Sequence, residues 1–87
     1  MTDDEIRLAF VEELVRVAPD LDPAAIGEDD HLQDDLELDS MDVLNLVTAL
    51  YTRLGVEVPE ADYPRIATVR LATAYLAERA GSISREA

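Results

Sequence analysis

The sequence predicts an all-α fold, a four-helix bundle of three longer helices plus one short helix, with a long first loop. Three observations carry that expectation. Apolar residues recur at helical rather than alternating spacing in three separate stretches, each opening on a residue type that caps helices well. Tryptophan is absent and the aromatic residues are Phe10, Tyr51, Tyr63 and Tyr75, so the core must consist mainly of Leu, Val, Ile and Ala, which favours packed helices. The extended-looking Val56-Glu57-Val58-Pro59 has no second strand to pair with and reads as a connection that tucks Val56 and Val58 into the core.

The first helix opens at Thr2, with Glu5 at the capping-box spacing and Asp3 and Asp4 complementing the macrodipole. Ile6, Phe10, Leu14 and Val17 line one face, Leu8, Val11 and Val15 widen it, and Arg7, Glu12, Glu13 and Arg16 form the polar face. Pro19 ends the helix near Val17 or Ala18. From Asp20 to Asp39 runs a connection holding Pro23, Gly27 and the acids Asp22, Glu28, Asp29, Asp30, Asp34, Asp35 and Glu37. A loop of that length stays ordered when apolar residues pin it, and Leu21, Ile26, Leu32, Leu36 and Leu38 are placed to do so.

The second helix is expected from about Ser40 to Leu54. It buries Val43, Leu46, Val47, Leu50 and Leu54, with Leu44 and Tyr51 flanking the stripe and Gly55 as its stop. Glu60 to Ile66 forms at most a short helix interrupted by Pro64. Thr68 caps the last helix, whose face carries Val69, Ala72, Leu76 and Ala80 with Leu71 and Tyr75 beside it, and Gly81 is its expected end. Residues 1–81 then make a single domain and 82–87 a flexible C-terminal tail.

Composition narrows the function. With 87 residues the chain can make one small core but no cleft between catalytic domains. Twenty acidic residues against seven basic ones, a net charge of −13, repel nucleic acid and anionic membranes and favour protein partners with basic patches. Cysteine is absent, so the chain itself supplies no disulfide, thiolate ligand or thiol nucleophile. Met1 is followed by Thr2-Asp3-Asp4-Glu5, unlike a basic signal-peptide start, and no apolar run approaches membrane-spanning length, so a cytoplasmic, monomeric protein is expected.

The residue to which this reading assigns function is Ser40. A serine at the start of an amphipathic helix stands among outward-pointing backbone N–H groups at the positive end of the macrodipole, where a phosphate ester is well accommodated. Serine there also serves as an ordinary cap. Hydrolytic chemistry is not expected: the single histidine, His31, stands in the acidic loop, where pairing with neighbouring acids is expected, and no G-x-S-x-G turn surrounds Ser40. The paired acids Asp29-Asp30 and Asp34-Asp35 read as solvated charge. An EF-hand loop counted from Glu28 or Asp30 places Leu32 or Leu36 at ligand positions and has no glycine at its sixth.

At this point the chain resembles the acyl carrier proteins. Asp39-Ser40-Met41-Asp42 is close to the family's Asp-Ser-Leu attachment motif and follows a Leu36-Glu37-Leu38 lead-in. Leu54-Gly55-Val56-Glu57-Val58-Pro59 lies at the expected distance beyond it, and Tyr63-Pro64-Arg65-Ile66-Ala67-Thr68-Val69 with Ala72 and Tyr75-Leu76 continues the likeness over most of residues 2–80. The resemblance implies an acyl-carrier-like bundle that is not an enzyme. Ser40 would bear 4'-phosphopantetheine, transferred from coenzyme A by a separate phosphopantetheinyl transferase, and acyl intermediates of fatty-acid, polyketide or related specialised biosynthesis would ride on it as thioesters. Asp39, Met41, Asp42 and Asn45 would form the partner interface, Asp39 and Asp42 meeting Arg or Lys of acyl-transferring enzymes, while for Asp42 helix stabilisation is an equal reading. Two departures stand out: Met41 where leucine is usual, and Asn45, Tyr51, Thr52 and Arg53 on a side of the second helix that is often glutamate-rich. They point to a specialised member, and the start at Met1 with a short tail suggests a free-standing one. The alternatives are an aminoacyl or peptidyl carrier with the same arm, whose usual glycines before the serine are replaced here by Glu37-Leu38-Asp39, and an unmodified acidic helical adaptor that binds a basic protein.

Overall fold

The computed structural model describes residues 2–86, with side chains through Ala80; Met1, and Ala87 at the end of the expected tail, lie outside the described residues. Helix α1 spans Asp3–Val17. The Thr2 hydroxyl accepts the Glu5 N–H at 3.2 Å and Glu5 Oε1 accepts the Thr2 N–H at 2.8 Å, the reciprocal capping box expected from the spacing. Helix α2 spans Ser40–Leu54 and ends where Gly55 takes a left-handed φ of 71°, which glycine adopts without steric cost. A seven-residue 3-10 helix, Glu60–Ile66, precedes α3 at Val69–Glu86. Among the described residues these helices, a 3-10 turn at Pro23–Ala25 and an isolated bridge between His31 and Thr68 make up the regular structure.

Helix α1 packs against both α2 and α3, and the 3-10 helix lies on α3. Their apolar faces meet in a core in which Ile6, Phe10, Leu14, Leu46, Leu50, Val56, Ile66, Val69 and Leu76 are essentially inaccessible to solvent. Four local expectations need correction. Leu8 is exposed, because a stripe that already includes Ile6, Ala9, Phe10, Val11 and Leu14 fills the side of α1 that faces its neighbours. Glu13, assigned to the polar face, is only 2% exposed, its carboxylate held at 2.7 Å by Arg53 from the last turn of α2 and at 3.5 Å by Arg16. Pro64 sits inside the 3-10 helix without interrupting it, since its fixed φ suits a helical turn and only one N–H is lost. Gly81 lies within α3, whose backbone remains helical to Glu86; an interior glycine costs a helix only about 1 kcal/mol.

The long first connection is pinned as expected. Ile26, Leu32 and Leu38 are buried, and Leu21 and Leu36 pack at the edge of the core. Its backbone is tied to the approach to α3: Leu32 N–H donates to Ala67 O and Arg70 N–H to Glu28 O, both at 2.9 Å. Arg70 also grips Asp29 at 2.8 Å and Glu28 at 3.3 Å, while Arg7 of α1 reaches Glu28 at 3.0 Å. These ties fix the loop that delivers the chain to Ser40.

Candidate functional site

Three local features put Ser40 on the surface. Leu38 is buried, and its N–H donates to Leu32 O at 2.9 Å, closing a turn in which Glu37 takes a left-handed φ of 62°. Val43 is buried three residues beyond Ser40. Between these two anchors Ser40 is the first residue of α2 and is exposed. Asp39, not Ser40, is the cap: Asp39 Oδ1 accepts the Asp42 N–H at 2.8 Å, and Asp42 Oδ2 accepts the Asp39 N–H at 3.4 Å. The Ser40 hydroxyl therefore stands at the positive end of α2 without being engaged in the cap.

Of the residues expected at an interface, Asp39, Met41 and Asn45 are exposed and Asp42 is half-buried. Asp39 and Asp42 are engaged with each other's backbone, so stabilising α2 is a role the structure gives to both. Arg53 does not belong to the outer face of α2. Its guanidinium is turned onto α1, with one nitrogen on Glu13 and the other on Glu12, each at 2.7 Å, and these bonds raise its pKa further. That leaves, beyond Ser40 itself, Met41, Leu44, Asn45, Thr48, Tyr51 and Thr52 as the exposed positions of α2 without a charge.

A cleft of about 530 Å³ opens beside Ser40 and Met41, between the start of α2 and the 3-10 helix. Val43, Leu44, Tyr63 and Ile66 are among its lining residues, whereas Asn45 is not. Sequence reasoning did not find this cleft; Leu44 at the edge of the apolar stripe and Tyr63-Pro64 in the short helix were its only traces. His31 lies on the same cleft, and its bond to an acid is through its backbone, the N–H donating to Asp35 Oδ2 at 2.8 Å. Among the described residues no group of histidine and carboxylate side chains is placed to hold a metal ion, and no helix is long and apolar enough to cross a membrane.

An exposed, uncommitted serine hydroxyl on a helix N-terminus, opening onto a partly apolar cleft, fits esterification by a long phosphate-linked arm. Residues 9–76 match the family model described as a phosphopantetheine attachment site, so fold and match together define a phosphopantetheine-bearing domain. The chain is similar to acyl carrier proteins from several bacteria. It is 43% identical to that of Streptomyces coelicolor over 75 residues, covering 86% of this chain and 77% of the relative. It is 34% identical to that of Zymomonas mobilis over 77 residues, covering 88% and 92%, and 34% identical to that of Campylobacter hominis over 73 residues, covering 84% and 86%. The chain belongs to the acyl carrier protein family, and its prosthetic group is 4'-phosphopantetheine.

Proposed function

We propose that Ser40 is the residue that carries the arm, and that this carrier serves a specialised acyl pathway, such as polyketide assembly or lipid tailoring, through a dedicated partner. The observation that carries the first half is the division of labour at the start of α2: Asp39 caps the helix, leaving the Ser40 hydroxyl exposed and available as an attacking oxygen. When bound, the arm supplies the terminal thiol that this cysteine-free chain lacks, so acyl groups can be held as activated thioesters. The chain's own part is to present that oxygen, to favour the phosphodiester with the N-terminal dipole of α2, and to offer the cleft along Val43, Leu44 and Ile66 to the arm and its cargo. Asp39 and Asp42 oppose the phosphate by charge and instead favour basic groups on the transferase and on acyl-handling enzymes.

What supports the second half is the uncharged outer face of α2. Met41, Leu44, Asn45, Thr48 and Tyr51 offer a partner apolar and hydrogen-bonding contacts beyond the acidic first turn. Incubation with coenzyme A, magnesium and a broad-specificity phosphopantetheinyl transferase, read by intact mass, tests the attachment. One phosphopantetheine adduct that is lost in Ser40→Ala supports it; an adduct that persists in Ser40→Ala contradicts it.

A further inference from the structure

The wall of the cleft opposite α2 is the 3-10 helix, and its two sides do different things. Glu60, Tyr63, Pro64 and Ile66 line the cleft. Asp62 and Arg65 turn the other way, onto Tyr75 of α3. The Tyr75 hydroxyl donates to Asp62 Oδ2 at 2.7 Å, and Arg79 reaches the same oxygen at 3.3 Å. The guanidinium carbons of Arg65 and Arg79 lie 4.8 and 4.4 Å from the centre of the Tyr75 ring. Tyr75 is 2% exposed, and burial together with the adjacent Asp62 carboxylate pushes its phenol pKa up.

This wall has few supports of its own. A 3-10 helix has poorer hydrogen-bond geometry than an α-helix, and Pro59 at its start provides no side-chain cap. Ile66 holds its end in the core and Tyr63 rests against the core's edge, while the side that carries Asp62 and Arg65 is tied down by the contacts with α3. We propose that Asp62, Tyr75 and Arg79 form a latch that sets the width of the cleft beside Ser40, so that they act as positioning residues for the arm and its cargo. The proposal rests on attachment at Ser40 but concerns residues that touch neither the serine nor the arm. Releasing the latch frees the wall from α3, so that its distance from α2 is no longer fixed and water gains access to a bound acyl chain, while the core beneath remains intact.

The test loads wild type and Tyr75→Phe with a pantetheine arm bearing a short acyl chain that ends in a trifluoromethyl group. Fluorine relaxation by a soluble gadolinium chelate is then measured. Tyr75→Phe keeps the ring and its arginine contacts and removes only the hydroxyl bond to Asp62. The expected result is relaxation at least twofold faster in Tyr75→Phe than in wild type, with unchanged far-UV circular dichroism. Arg79→Gln, at an exposed position, should shift relaxation in the same direction and serves if Tyr75→Phe fails to fold. Equal relaxation in a folded, loaded variant overturns the latch, as does a wild-type chain relaxed as fast as the same group on free pantetheine. Failure to load at Ser40 overturns the attachment reading instead, and the latch proposal with it.

Discussion

Asp39 and Asp42 hold the start of α2 by exchanging backbone hydrogen bonds, Asp39 Oδ1 taking the Asp42 N–H at 2.8 Å and Asp42 Oδ2 taking the Asp39 N–H at 3.4 Å. The exchange keeps Ser40 out of the cap. It also gives the two acids a structural role that can be separated from any part in recognition, because asparagine caps a helix about as well as aspartate but carries no charge.

Asp39→Ala should therefore destabilise the fold by about 1 kcal/mol, a typical loss for a cap, while Asp39→Asn leaves stability nearly unchanged. If the charge helps a basic transferase to dock, Asp39→Asn slows loading even though it melts like wild type. Denaturant melts and initial loading rates separate the two effects, and normal loading by Asp39→Asn would remove this acid from recognition.

Glu37 sits at a φ of 62°, where a side chain costs roughly 1–2 kcal/mol, and its side chain is exposed. Glycine removes that strain but adds entropy to the unfolded chain, about 0.5–1 kcal/mol. Glu37→Gly should thus stabilise the protein by about 0.5–1 kcal/mol in a urea titration; a loss of stability would mean that the Glu37 side chain makes a contribution larger than the strain.

Two arginines that look alike in sequence should behave differently. Arg53 neutralises the nearly inaccessible Glu13, whereas Arg70 pairs with Glu28 and Asp29 in a more open setting, with side-chain exposures of 42% and 78%. Removing a partner from a buried charge is the more damaging loss. Arg53→Met should lower the melting temperature more than Arg70→Met, and added salt should shrink the Arg70 effect by the larger fraction. Equal losses in the two variants would show that Glu13 finds another partner, Arg16 being the nearest.

The Asp29 carboxyl is held below the ordinary aspartate range, chiefly by its hydrogen bond from Arg70 and also by that charge. A depressed carboxylate stabilises the fold fully above its unfolded pKa, and the contribution disappears as pH falls through the lower folded value. Asp29→Asn should accordingly melt below wild type at neutral pH, with the gap closing in strong acid. A gap that widened on acidification would reverse the sign of this coupling.

Much of this architecture was legible from the residues. The Thr2–Glu5 capping box, the buried stripes of α2 and α3, the αL stop at Gly55 and the pinned loop follow from local chemistry that tertiary packing did not overrule. The placements of Leu8 and Glu13 were not legible. Periodicity shows that α1 has two sides but not where a neighbour's edge falls, and Glu13 is buried only because Arg53, forty positions away, arrives to neutralise it. Ser40 was legible as a helix-start serine, but that Asp39 and not Ser40 makes the cap is visible only in the geometry. The cleft and the Asp62–Tyr75 contact arise from segments that meet in space, and no local pattern encodes them.

Attachment of the arm at Ser40 is tested by fragmenting the loaded protein in the mass spectrometer and reading which residue carries the added mass. Every fragment containing Ser40, and none lacking it, should gain one phosphopantetheine. Added mass on Ser82, Ser84 or a threonine, with the Ser40 fragments unmodified, would contradict it.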